Sequence, residues 1–353
     1  MKNEYGMPGK IGLKFPTRVS IDITRECNLR CKHCLSSSGK ADPNELNTEE
    51  LFGLIDQLKE AGKPTFAIGG GEPLTRTDLF KVIAYARKND IPVSIVTNGT
   101  LVNKKIAKKL NSLRLVHVTV SIDGLKKNHE FIRGRGNFER TIKGIKILRK
   151  YLNTAKLNMR VIVNTKNYRD CPEIIKLAEN LKLDSIRLTP TLPMGRALEN
   201  QYLLLNQKQY IQFLEDCHKV KAKIEIVLPD KEVDPKMLRS GEFGCHCGRE
   251  ICWVIQNGDL YPCIFYGNQY LVGNIREERF ITLWKKSKEK VRLSGNKYCN
   301  GCEKYKNCRG GCRCRPLWYY GDINAIDPYC PLNKNTQYEK TIPSLSIPIH
   351  ENE

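Results

Sequence analysis

The sequence predicts an α/β chain: a partial (β/α)6 TIM barrel, open on one side, followed by a small cysteine-rich domain held together by metal. Three observations carry this. Short β-branched runs alternate with amphipathic runs through the first two hundred residues, the order that gives parallel strands joined by right-handed crossovers. Cys27, Cys31 and Cys34 fall directly after the first strand-like run. Between Cys245 and Cys330 cysteines recur while strong helical patterning fades, as in a fold stapled by metal rather than by a large core.

The first strand is read at Val19–Thr24, followed by a helix over Thr48–Ala61 whose Leu51, Leu54, Ile55 and Leu58 recur at three- and four-residue steps. Strands at Thr65–Ile68 and Val93–Thr97 flank a helix over Thr77–Asn89, and Lys104–Asn111 is the next helix. Val116–Ile122, Met159–Val163 and Ser185–Leu188 complete the six strands, with helices over Phe138–Tyr151 and Asp170–Leu181 between them. In the C-terminal third, Asn257-Gly258 reads as the turn of a hairpin between Ile251–Gln256 and Leu260–Ile264. The expected division is an N-terminal extension 1–16, the barrel 17–200, a helical bridge 201–240, the cysteine-rich domain 241–333 and an extended tail 334–353.

The C-x3-C-x2-C spacing of Cys27, Cys31 and Cys34 suits an iron–sulfur cubane with three irons held by thiolate and one left for a ligand. A zinc loop is the plainer alternative, but a lone triplet leaves zinc short of its tetrahedral shell. The motif resembles the signature of the radical S-adenosylmethionine enzymes, in which the uncapped iron binds the amino and carboxylate groups of S-adenosylmethionine. That resemblance implies a [4Fe-4S] cluster on Cys27, Cys31 and Cys34 and a 5′-deoxyadenosyl radical that abstracts a substrate hydrogen. Further cofactor contacts are implied at the strand ends: Gly69, Gly70, Gly71 and Glu72 after the second, Asn98 after the third, Ser121 and Asp123 after the fourth. Arg133 reads equally as a partner of the cofactor carboxylate and as a surface arginine.

Cys247-x10-Gly258-x4-Cys263, then Cys299-x2-Cys302-x5-Cys308-x3-Cys312 and finally Cys330, resemble the SPASM domain of radical S-adenosylmethionine enzymes, which holds auxiliary Fe–S clusters. The resemblance implies one cluster on Cys299, Cys302, Cys308 and Cys330 and another on Cys247, Cys263 and Cys312, with Cys245 or Cys252 as the extra ligand. A zinc ribbon over Cys299–Cys312 is the alternative. Cys314 reads as a possible free thiol, and Cys171 and Cys217 as small buried apolar groups.

Ser36-Ser37-Ser38-Gly39-Lys40, Gly69-Gly70-Gly71-Glu72-Pro73 and Cys308-Arg309-Gly310-Gly311-Cys312 are similar to the mycofactocin maturase branch. This implies oxidative decarboxylation of a C-terminal tyrosine in a ribosomal peptide and its crosslinking to a neighbouring valine. Porphyrin side-chain decarboxylases of haem biosynthesis and maturases of tungsten-enzyme cofactors share the motifs and stay open as alternatives. An Fe–S electron carrier is the alternative of another class, although it needs neither the open triplet nor the glycine loop.

The 353 residues, 40% hydrophobic, are enough for a barrel and an accessory domain. No apolar stretch approaches membrane-spanning length, and Met1-Lys2-Asn3-Glu4 lacks the core of a signal peptide, so a cytoplasmic protein without a membrane partner is expected. The formal charge of +21 overstates the basicity of a holoprotein whose thiolates sit on anionic clusters. It favours a small acidic or carboxylate-bearing substrate, here a peptide, over nucleic acid, for which no recognisable module is present. Arg187 and Arg196, at or after the sixth strand, are candidates to meet a carboxylate or to form structural ion pairs. The expected partners are a flavodoxin- or ferredoxin-type electron donor and, because no leader-binding domain precedes the barrel, a separate leader-binding chaperone.

Overall fold

The computed structural model describes residues 14–229, 247–290, 299, 301–303 and 310–330. All six expected strands form: β1 (Arg18–Asp22), β2 (Thr65–Gly69), β3 (Val93–Thr97), β4 (His117–Ser121), β5 (Lys156–Val163) and β6 (Ser185–Pro190). They lie in sequence order and pair in parallel, from Arg18 opposite Thr65 to Val163 opposite Pro190. Alternation sets the two faces. In β5, Leu157, Met159, Val161 and Val163 are buried while Asn158, Arg160 and Ile162 are half-open.

The buried face packs on the helices α1 (Thr48–Glu60), α2 (Leu79–Lys88), α3 (Lys104–Ser112), α5 (Asn137–Tyr151) and α6 (Cys171–Asn180), in one apolar core that also takes Cys171 and Cys217 as expected. Fully buried side chains such as Leu54 and Ile55 each contribute about 1.5–3 kcal/mol against their exposed state. α1 starts from a capping box, with Asn47 accepting from the Glu50 N–H and Glu50 accepting from the Asn47 N–H.

Several features were not foreseen. Helix α4 (Lys126–Arg133) precedes α5; after α7 (Arg196–Glu199) and α8 (Gln207–His218), the expected helical bridge ends in a strand, β7 (Glu225–Val227), parallel to β6. The hairpin appears as β8 (Ile251–Val254) and β9 (Asp259–Tyr261), and β10 (Gly273–Asn274) extends it. β8 does not stand apart in a second fold: it pairs in parallel with β1, Arg18 opposite Ile251, so a single sheet runs β10-β9-β8-β1-β2-β3-β4-β5-β6-β7. The helices α9 (Phe280–Lys290) and α10 (Cys314–Tyr320) follow. The expected boundary at residue 240, most of the N-terminal extension and the tail lie outside the described residues. Among the described residues no helix is long and apolar enough to cross a membrane.

Candidate active site

The loop after β1 carries Cys27, Cys31 and Cys34 at the C-terminal end of the parallel strands, and the loops after β2, β3, β4 and β6 all reach it. The Gly71 N–H donates to Thr24 O at 2.7 Å and the Glu72 N–H to Glu26 O at 2.8 Å. Asn98 Nδ2 donates to Asn28 Oδ1 at 2.8 Å. The Lys32 N–H reaches Ile132 O at 3.0 Å. Arg196 clamps the loop at three points: its N–H donates to Cys34 O at 3.0 Å, Nε to Cys31 O at 2.8 Å and Nη1 to Ser38 O at 2.9 Å. The guanidinium read as a candidate for substrate carboxylate is therefore engaged by loop carbonyls.

Burial pushes the Cys31 thiol up to about 11 and raises Cys27 as well. Arg133 acts the other way, with Nη1 4.0 Å from Cys31 Sγ, and the Leu29 N–H donates to Cys27 Sγ at 3.4 Å. Two thiols whose burial disfavours the free anion, with Cys34 beside them and a cation and an N–H aimed at sulfur, form a donor set suited to a soft metal cluster. The residues present fit an iron–sulfur cluster. Among the described residues no group of three or more His, Cys, Asp or Glu side chains is placed to hold a single metal ion.

The other site candidates gather here, several in roles that the sequence did not suggest. Asp123, fully buried, accepts from His33 Nε2 at 2.5 Å, Arg133 Nε at 2.5 Å and the Ile162 N–H at 2.8 Å. Burial works against its charge, but Arg133 and then His33 outweigh it and hold the carboxyl well below the usual range. Arg133 is neither a surface arginine nor left for a cofactor carboxylate alone, because its Nε is committed to Asp123. Glu72 is fully buried, accepting from Thr97 Oγ1 at 2.7 Å, the Asn98 N–H at 2.7 Å and the Leu74 N–H at 3.2 Å. Its carboxylate thus fixes the β3 loop that carries Asn98. Gly70, at φ +113°, and Gly71 permit the close approach to the 24–26 backbone, while Gly69 has room for a side chain. Ser121 is buried at the end of β4.

Asp22, at the end of β1, had given no sign in the sequence. Burial raises its carboxyl to about 6, against the hydrogen bond that Trp253 Nε1 donates at 3.0 Å from β8. A folded-state value above the unfolded one means stability that is full below about pH 4 and lost as pH rises through about 6. Denaturant unfolding should therefore show the native chain losing about 1 kcal/mol more than Asp22→Asn between pH 5 and pH 8; parallel profiles would refute the assignment.

In the C-terminal region the Cys263 thiol is hydrogen-bonded to Cys247 and Cys314, and Cys314 in turn to Cys312. Cys263 and Cys314 belong to an apolar cluster with Tyr266 and Trp318, against which Cys247, Cys312 and Leu35 pack. Cys314 is therefore not an isolated thiol. Cys252, one of the two candidates for the extra ligand, is overturned: its place on β8 buries it in the main core, where desolvation alone raises its thiol. Cys302 closes a turn onto Cys299, N–H to O at 3.1 Å; Cys245 and Cys308 lie outside the described residues.

A parallel strand–helix sheet with an open thiol triplet at its C-terminal edge and thiol-rich elements beyond its first strand defines a radical enzyme with auxiliary metal centres. Residues 21–178 match the model of the radical SAM superfamily, and residues 245–313 match that of the SPASM iron–sulfur cluster-binding domain. The AdoMet-dependent heme synthase of Methanosarcina barkeri is 31% identical over 89% of this chain and 96% of its own. The mycofactocin maturase MftC of Mycobacterium tuberculosis is 30% identical over 90% and 84%. The structure of anSMEcpe with bound AdoMet superposes with a TM-score of 0.74 at 22% identity, covering 89% of this chain and 94% of that one. The chain belongs to the radical SAM superfamily and carries a SPASM domain. It is an enzyme whose family uses a [4Fe-4S] cluster with S-adenosylmethionine, and whose SPASM domain takes auxiliary Fe–S clusters.

Proposed function

We propose that the chain oxidatively decarboxylates a carboxylate-bearing substrate, foremost the C-terminal residue of a ribosomal peptide in mycofactocin-type maturation, delivered by a separate leader-binding chaperone. The observation that carries this is a set of guanidinium groups on the helix-free face of the sheet. Arg160 and Arg187 stand opposite each other in register on β5 and β6, on the face away from the buried residues of those strands. Arg18, exposed at the start of β1, joins them: partial desolvation first, then the neighbouring Arg160 and Arg187, draw its guanidinium down. Such mutual repulsion is relieved by an anion.

Cys27, Cys31 and Cys34 would hold the radical-site cluster, and Gly69, Gly70, Gly71, Asn98 and Ser121 would shape the seat for S-adenosylmethionine. Bound there, cluster and cofactor supply the 5′-deoxyadenosyl radical that abstracts a substrate hydrogen. Asp123, His33, Arg133 and Arg196 keep the loop rigid, while Arg18, Arg160 and Arg187 would orient the carboxylate. Decarboxylation leaves an electron to be removed, and Leu35, beside Cys34, packs against the apolar cluster that holds Cys263 and Cys314, a direct contact between the two cysteine regions. A flavodoxin- or ferredoxin-type protein would reduce the radical-site cluster. A porphyrin propionate is the second reading, favoured by the heme synthase relative that matches over 96% of its length.

Anaerobic enzyme with S-adenosylmethionine and dithionite should release 5′-deoxyadenosine and carbon dioxide with one of two substrates, a precursor peptide ending in Val-Tyr or an iron porphyrin with propionates. 5′-Deoxyadenosine with loss of carbon dioxide from neither would sink the reading. Arg187→Gln should raise KM for the carboxylate substrate about 10- to 100-fold, the loss of one charge-assisted hydrogen bond worth about 1.5–3 kcal/mol; an unchanged KM would remove Arg187 from the substrate site.

A further inference from the structure

Resting on the auxiliary-cluster reading above, we propose that Cys314 is the fourth thiolate of the site formed by Cys247, Cys263 and Cys312. A cubane takes four ligands, and the SPASM-like spacing leaves this set one short. The geometry supplies the missing one. Cys263 is hydrogen-bonded to Cys247 and Cys314, Cys314 to Cys312, and Cys263 and Cys314 lie in one apolar cluster with Tyr266 and Trp318 against which Cys247 and Cys312 pack. The string of contacts brings together three separate stretches of chain: the lead-in to β8, the exit from β9 and the start of α10.

The position of Cys314 is fixed independently of the thiols. Cys314 opens α10, and the next residue, Arg315, is buried and ion-paired with Asp327, its Nε 2.9 Å from Oδ1 and its Nη2 2.5 Å from Oδ2. The same carboxylate accepts from the Cys312 N–H at 3.1 Å. Gly311, at φ +71°, leaves no space for a Cβ, which would meet the Asp327 carboxylate. Cys312 and Cys314 are thereby locked on either side of Arg313, Cys314 within the apolar cluster and Cys312 packed against it. Cys252 cannot compete, since it lies in the other core.

The consequence is functional. Four protein thiolates close the cluster, so substrate has no iron to bind there and the site serves electron transfer, next to the Leu35 contact with the radical loop.

The test uses the full chain with Cys27, Cys31 and Cys34 all replaced by alanine, which isolates the auxiliary clusters, purified and reconstituted anaerobically. Adding Cys314→Ala should lower bound iron and sulfide by about half, one cluster of two, or leave a cluster whose EPR spectrum shifts when an external thiol is added. Adding Cys252→Ala should change neither, and circular dichroism of each variant reports folding. Unchanged iron and EPR on Cys314→Ala, with loss on Cys245→Ala, would overturn the inference alone. A parent variant with no iron–sulfur absorption would overturn the auxiliary-cluster reading and the inference with it.

Discussion

Asp123→Ala should destabilise the chain by about 3–5 kcal/mol, because it leaves the buried Arg133 guanidinium without its counter-charge. The loss does not stop at α4. Asp123 also holds His33, which sits between Cys31 and Cys34, so the radical loop loses its anchor to the fourth strand. Asp123→Asn keeps the shape and one acceptor but no charge, and should fall between the native chain and Ala. Because Arg133 and His33 hold the carboxyl far below the ordinary range, the contribution is present throughout neutral pH and lost only in strong acid. Denaturant midpoints at pH 6 and pH 8 should therefore give the same difference between native chain and variant. Iron bound at the radical loop should fall with the midpoint; a native-like midpoint for Asp123→Ala would show that the Arg133 pair does not support the loop.

Much of the scaffold was legible because its signals are local. Parallel strands packed by helices read as short β-branched runs, and helix faces such as Leu51-Leu54-Ile55-Leu58 announce themselves by period. Helix α4 escaped because Lys126, Lys127 and Asn128 open it and its inward face rests on His129, Ile132 and Arg133, a polar set with little apolar periodicity. The continuation of the sheet from β1 to β8 joins residues more than two hundred positions apart, and nothing within Ile251–Val254 names its partner.

The site shows the same division. Spacing reveals the cysteines, since chelation by a tight loop is a local property. The groups that fix the loop are found only when distant segments meet. Arg196, read as a possible carboxylate partner, is a clamp on Cys31 and Ser38, and Glu72, read as a cofactor contact, is a buried brace for the β3 loop. Cys314 looked spare because the expected pattern passes from Cys312 to Cys330 without it, and only three-dimensional contact sets it beside Cys263.

Gly71→Ala carries the second large effect, and its reason is steric. Gly71 lies against the cysteine loop, where an added Cβ would collide with Glu26 O and stand 2.8 Å from Arg25 O, both backbone atoms that no rotamer change can move. Relief requires parting the two loops, which breaks the Gly71-to-Thr24 and Glu72-to-Glu26 hydrogen bonds together. Overpacking of this kind costs about 1–3 kcal/mol or more, and here it falls on the segment that spaces Cys27 from the strand. Radical-loop iron and 5′-deoxyadenosine formation should both be lost, whereas iron bound by the SPASM region, residues 245–313, should stay. Gly53→Ala is the internal control: a Cβ there meets nothing within 4 Å. In the interior of α1 the same change should stabilise by about 0.5–1 kcal/mol with activity intact. Equal effects at the two glycines would mean that helix propensity and loop entropy, not contact between the second and first strand loops, govern the radical site.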